Sequence, residues 1–221
     1  MLSPLWAAGE PGSITDICGL AEARGIVWRD GRLRIGALET IERCRTDADV
    51  VAHAPLLARA CGVVGSLGVR LLGTLGGNIG WRQGDTLPAL LALGAEVETV
   101  AGTMPLEDLL ALAAMPLVLA VLVPPAHGAA VFEKVGHRAA FSLSAATVAG
   151  CVDREAGIAR LAASAAGHPA RRLPRAEAML TAPALPARTR LAAVIADEMA
   201  SGPGHLAGRV LAGLLLEALT T

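Results

Sequence analysis

The chain has 221 residues, slightly more than half of them apolar (53%), which is enough for a full core in one domain or two modest ones. Nineteen Lys and Arg against twenty Asp and Glu leave a net charge of -1, and aromatic residues make up only 2%. That balance excludes both the electrostatic footprint and the stacking platforms of a nucleic-acid binder.

The four cysteines, Cys18, Cys44, Cys61 and Cys151, form no C-x-x-C and have no His at ligand spacing. They read as free thiols in a reducing cytoplasm, and no metal site is predicted. The first residues lack a basic stretch ahead of an apolar one, so a signal peptide is not predicted. The most apolar run, Leu109 to Val123, is shorter than the roughly 20 residues a membrane span needs. Asp108 precedes it, Pro116 interrupts it and Pro124-Pro125 close it, so it reads as a buried helix followed by a buried strand.

In chain order, Met1–Gly12 holds Pro and Gly without period and reads as a loose arm, and Ser13–Ile17 has the β-branched composition of a short strand. Ile26, Trp28, Leu33 and Ile35 then flank Asp30-Gly31, and Asp-Gly between alternating apolar runs predicts a two-residue hairpin turn. Thr40 is placed to cap a short helix. Asp47 or Asp49 is placed to cap a longer one through about Val64, burying Val50, Val51, Pro55, Leu56, Leu57 and Ala60 with His53 and Arg59 outward. From Gly65 to Gly84 periodicity gives way to glycine, which reads as loop. Thr86 is expected to cap a helix over Leu87–Leu93 that stops at Gly94.

Strands are predicted at Ala95–Val100, Leu117–Val123, Ala130–Val135, Leu143–Val152 and Ile158–Ala165, and Pro169–Arg175 reads as a basic linker. Helices follow at Ala176–Leu180, Arg188–Met199 and Leu206–Leu219. The last has Leu206, Val210, Leu211, Leu214, Leu215 and Ala218 at helical spacing; it is expected to pack on its own lobe, with a homodimer of the isolated chain as the alternative. Strands first and helices last make an α+β chain of two lobes.

Chemistry concentrates in one place. Leu72-Gly-Thr-Leu-Gly-Gly-Asn-Ile-Gly80 has four glycines around a Thr and an Asn. Glycines let a backbone approach a ligand closely, and successive amides can form a concave nest for an anion such as a pyrophosphate. A tight structural connection is the alternative. The segment lacks the Gly-Lys-Ser/Thr of a Walker loop, and it follows a helix where a Rossmann fingerprint follows a strand. A second oddity is that every Lys-or-Arg position is Arg except Lys134. A site needing a compact point charge would resist that exchange, whereas an exposed position would keep Lys by chance. The scattered histidines and Ser142 and Ser144 match no catalytic frame, and no catalytic residue is assigned.

Several ordered segments then resemble one family. These are Arg32–Ala37, Val69-Arg-Leu-Leu-Gly-Thr-Leu-Gly-Gly-Asn-Ile79, Asp85-Thr-Leu-Pro-Ala-Leu-Leu-Ala-Leu-Gly-Ala-Glu96, Leu119–Pro124, Phe132-Glu-Lys-Val-Gly-His-Arg138 and Ala176–Leu180. From about Ile14 to the C-terminus the chain resembles the flavin subunit of the xanthine dehydrogenase and carbon monoxide dehydrogenase (molybdenum hydroxylase) family. The resemblance implies a PCMH-type, α+β FAD-binding lobe over residues 1–125. It also implies a smaller α+β lobe over 126–221, with a three-stranded sheet and helices. It implies FAD as cofactor, with Thr74, Leu75, Gly76, Gly77 and Asn78 against its diphosphate, Asp85 toward its sugar and phosphate, and Lys134 toward the flavin.

The implied function is electron transfer from [2Fe-2S] clusters through FAD to an acceptor. The implied partners are a molybdopterin-binding large subunit and a [2Fe-2S] small subunit, and the chain is not expected to be active alone. One departure stands out. Family members begin with a small lobe carrying an Ala-Gly-Gly-Thr-Asp-type loop, and only Ala8-Gly9-Glu10 echoes it here. FAD binding by the chain alone is therefore expected to be weak or absent unless a partner supplies that lobe. An FAD-free structural subunit is the alternative reading.

Overall fold

The computed structural model describes residues 15–126, 128–136, 144–199 and 204–220. The hairpin forms as its turn residues require: β1 (Ile26–Arg29) pairs antiparallel with β2 (Arg32–Gly36), and Asp30 and Gly31 take φ of 51° and 73°. Both positive values are what a tight two-residue hairpin turn demands. The first sheet runs β1-β2-β5-β3-β4, with β3 (Glu96–Thr99), β4 (Gly102–Pro105) and β5 (Val118–Val123). All its pairings are antiparallel.

Three short helices follow the hairpin: α1 (Ile41–Thr46), α2 (Ala48–His53) and α3 (Pro55–Gly62). Thr40 caps α1 by accepting the Arg43 amide at 3.1 Å, and Asp47 caps α2. The expected single helix through Val64 is broken at Ala54-Pro55. Pro drives the preceding residue out of the α region, and Ala54 sits at φ -137°, ψ 54°. The break also turns Val51 and Pro55 outward, contrary to expectation.

The stretch read as loop holds two more helices, α4 (Leu67–Leu72) and α5 (Leu75–Gly80), each started by a hydroxyl cap, Ser66 and Thr74. Next comes α6 (Leu87–Leu93), every residue of it buried, ended by Gly94 at φ 70°. The helix after β4 is α7 (Leu106–Ala111). Ser13 and Ile14 lie outside the described residues, as do Met1–Gly12, and 15–17 form no strand.

The second sheet is an antiparallel meander of four strands: β6 (Ala129–Gly136), β7 (Ser144–Asp153), β8 (Ile158–Ala165) and β9 (His168–Arg172). It has one strand more than expected, because the basic segment read as a linker pairs with β8 as an edge strand. An edge tolerates Pro169 there. Helices α8 (Pro174–Thr181), α9 (Arg188–Met199) and α10 (Gly204–Thr220) cover one face. Arg172 forks onto Glu177 (2.6 Å at both nitrogens), tying β9 to α8, and Arg175 on α8 pairs with Asp197 on α9 at 2.5 Å.

The alternation of β7 and β8 divides the interior. Val148, Val152, Leu161 and Ala163 face α8–α10 and form one core. Ala149, Cys151, Ala162 and Phe132 face the other way and join the core built on the first sheet and α6. Helix α6 is thus sandwiched between the sheets, which fixes the segments before it, α5 and the turn to Thr86, against β6 and β7.

Candidate functional site

The glycine-rich segment is zipped to the strand end of the first sheet. Leu75 N donates to Glu39 O (2.9 Å), Gly76 N to Ala37 O (2.8 Å), and Ile41 N returns to Gly73 O (2.9 Å). Gly77 N donates to Thr74 Oγ1 at 3.1 Å, and Asn78 N to Thr74 O. Four successive amides therefore already have partners. A Cβ on Gly76 would meet Ala37 Cβ at 2.8 Å and Ala37 O at 2.9 Å, so glycine is required there by backbone packing within the chain.

Asn78 is 2% exposed, and its Oδ1 accepts from both Thr86 N (3.3 Å) and Thr86 Oγ1 (2.6 Å). Thr86, expected to cap α6, uses its hydroxyl on Asn78 instead, locking the start of α6 to α5. The turn between them is equally tight, since a Cβ on Gly84 would lie 2.0 Å from Asn78 Oδ1.

Asp85 and Lys134 come together as an ion pair, Nζ to Oδ2 2.6 Å, with side chains only 11% (Lys134) and 16% (Asp85) exposed. Lys134 Nζ also donates to Val63 O at 3.1 Å, and Thr147 Oγ1 donates to Asp85 Oδ1 at 3.2 Å. The sequence singles out Asp85 and Lys134 separately. Their pairing, and the part played by Thr147, depend on β6 and β7 folding back over the α5–α6 turn. The pair ties the two sheets together through that turn.

The fit of this segment to a dinucleotide can be judged from its donors. A diphosphate is held by free N–H groups at a nest or helix end. Here the amides of residues 75–78 are spent on Glu39, Ala37 and Thr74, so as a diphosphate cradle the segment does not fit. What it presents outward is different. Helix α4 has no buried residue: Leu67, Val69, Leu71 and Leu72 are all exposed, Leu72 to 85%. Arg70 instead turns in, to Glu42 Oε2 at 2.6 Å and to the carbonyls of Val64 and Gly65. Among the described residues no group of His, Cys, Asp and Glu is arranged for a metal ion, the four cysteines are free thiols, and no helix is long and apolar enough to cross a membrane. His137 and Arg138 lie outside the described residues.

Against this geometry the relatives can be set. The model of the FAD binding domain in molybdopterin dehydrogenase matches residues 4–126, more than half of the chain. The chain belongs to this family. Among the family's curated members, the nicotinate dehydrogenase FAD-subunit of Eubacterium barkeri is 32% identical over 152 residues, covering 61% of this chain and 51% of the relative. The xanthine dehydrogenase FAD-binding subunit of Escherichia coli O157:H7 is 36% identical over 88 residues, 38% of this chain and 30% of the relative. The chain thus spans about half the length, or less, of these curated relatives. A chain of quinoline 2-oxidoreductase from Pseudomonas putida 86 superposes with a TM-score of 0.81 at 22% identity, over 99% of this chain and 86% of that one. At that identity the likeness establishes the molybdopterin dehydrogenase FAD-domain fold and nothing finer.

Proposed function

We propose that the chain is the FAD-binding component of a molybdopterin-dependent dehydrogenase, supplying one wall of a cofactor site that another polypeptide lobe closes. The family match over residues 4–126 carries this reading. In it, residues 1–125 are the cofactor lobe and 126–221 the C-terminal lobe. Thr74, Leu75, Gly76, Gly77, Asn78, Asp85 and Lys134 shape and stiffen the wall, and phosphate-binding donors come from elsewhere. The outward-facing apolar side chains of α4, which leads directly into Thr74, support a second polypeptide on this side, since exposed contiguous apolar surface marks an interface. FAD would supply the redox chemistry, standing between [2Fe-2S] clusters and an external acceptor, while the protein positions it. The molybdopterin and [2Fe-2S] groups belong to partner subunits in this reading.

The satisfied amides favour a second reading, an FAD-free relative acting as a structural subunit. Purification of the assembled complex with its molybdopterin-binding and [2Fe-2S] subunits separates the two. The first reading predicts flavin absorption bands and about one FAD released per chain. An intact complex without flavin would overturn it in favour of the second.

A further inference from the structure

Helix α10 carries glycine at 204, 208 and 213, although a helix interior is where glycine is least favourable. Two of them are required by packing. A Cβ on Gly204 would lie 2.8 Å from Ala196 O, and one on Gly208 2.3 Å from Ala192 O, both backbone atoms of α9. Gly213 is different, because the three atoms nearest a Cβ there all belong to the Arg188 guanidinium: Nη2 at 2.6 Å, Cζ at 3.1 Å and Nε at 3.4 Å. The guanidinium occupies the place a side chain would take. Glycine at 213 seats the arginine.

Most arginines of the chain are spent, as Arg70 is on Glu42, Arg82 on the carbonyls of Leu110 and Leu112, and Arg172 on Glu177. Arg188 and Arg209 have neither a carboxylate nor a carbonyl partner among the described residues. Both line a cavity of about 490 Å³ along the α9–α10 hairpin, with Thr189, Ala192, Ala193 and His205. That volume is ample for a small ligand, which needs about 300 Å³ or more. Glu217 lines the adjoining cavity, which the two arginines share, and no carboxylate among the described residues lines this one. Residues 200–203, just before α10, are Ala, Ser, Gly and Pro and add no acid. Two guanidinium forks, an imidazole and a hydroxyl suit a group with several acceptor oxygens. A carboxylate satisfies one fork, whereas the terminal oxygens and double charge of a phosphate satisfy both.

We infer that the α9–α10 cavity binds a small molecule through a phosphate monoester group held between Arg188 and Arg209. The inference goes beyond the proposed function and does not rest on it, since every residue it uses lies outside the family-matched segment 4–126.

The test titrates the full chain with inorganic phosphate and with methyl phosphate, in about 0.15 M chloride so that long-range surface electrostatics is screened. Binding is read from the arginine Nε–Hε signals in proton–nitrogen correlation NMR. Saturable shifts of Arg188 and Arg209 are expected, with methyl phosphate within about threefold of inorganic phosphate or tighter. Arg188→Ala and Arg209→Ala should each weaken binding about tenfold, as loss of hydrogen bonds to a charged group implies. Arg29→Ala, on the exposed β1 strand, should leave it unchanged. Gly213→Ala is the sharpest arm: alanine favours the helix, so the unfolding midpoint should hold or rise, while the displaced guanidinium lowers phosphate affinity. No saturable shift, an equal loss with Arg29→Ala, full affinity in Gly213→Ala, or rejection of the methyl ester would each overturn the inference. FAD content of the assembled complex plays no part in this readout, so the two proposals fail separately.

Discussion

Asn78 shows how a side chain named for a ligand can be engaged by the fold. Its Oδ1 accepts two hydrogen bonds from Thr86 at a site 2% exposed, and removing it strands a buried N–H and a buried hydroxyl. Asn78→Ala should therefore destabilise the chain by about 1–3 kcal/mol in denaturant unfolding without any cofactor present. A purely ligand-binding Asn78 would leave the unfolding midpoint unchanged. Lys134 supports a companion prediction. Lys134→Met leaves Asp85 largely buried and short of its cation, at a cost of about 1–3 kcal/mol, discounted from a fully buried pair for the remaining exposure. Adding Asp85→Asn should recover part of that loss, a coupling measurable in a double-mutant cycle. Independent effects of the two substitutions would contradict the pairing.

These residues were legible in the sequence as a set, because the order of motifs carries the resemblance. Their use was not. Gly76 and Gly77 suggest free amides only until Ala37 O, some forty residues earlier, accepts from Gly76 and the Thr74 hydroxyl accepts from Gly77.

Among the elements, Glu42 on α1 is the hub. Hydrogen bonds from Arg45 and Arg70 hold its carboxyl down at about 2, against an ordinary value of 4.5. The folded value lies below the unfolded one, so the pairing contributes fully above pH 4.5 and is lost as pH falls from there toward 2. Wild-type stability should decline over that window, and Glu42→Gln should be less stable at neutral pH yet show a shallower decline. Chemical denaturation across pH checks both, and parallel pH profiles would contradict the assignment.

Elements with strong local signals were readable: the Asp30-Gly31 turn, the Gly94 stop and the strands β7 and β8 all appear where expected. Helices α4 and α5 were not, since six residues are too few to show a period and both rest on a single hydroxyl cap. Strand β9 was hidden by its arginines and Pro169, which an edge position permits and a buried strand would not.

At the scale of the whole molecule, two antiparallel sheets enclose α6, and the motif-bearing segments are clamped between them. This is the architecture of the molybdopterin dehydrogenase FAD-domain family, in a chain that spans about half the length of its nicotinate dehydrogenase relative. The clamp makes a stiff wall, and the amides of residues 75–78 in it are already bonded within the chain, which leaves them no N–H for a diphosphate. The account rests on that deficit. Titration of the purified chain with FAD, followed by flavin fluorescence, measures it directly. We predict binding weaker than micromolar, with no gain over a flavin lacking the diphosphate; saturable one-to-one binding of FAD below micromolar by the chain alone would contradict the account.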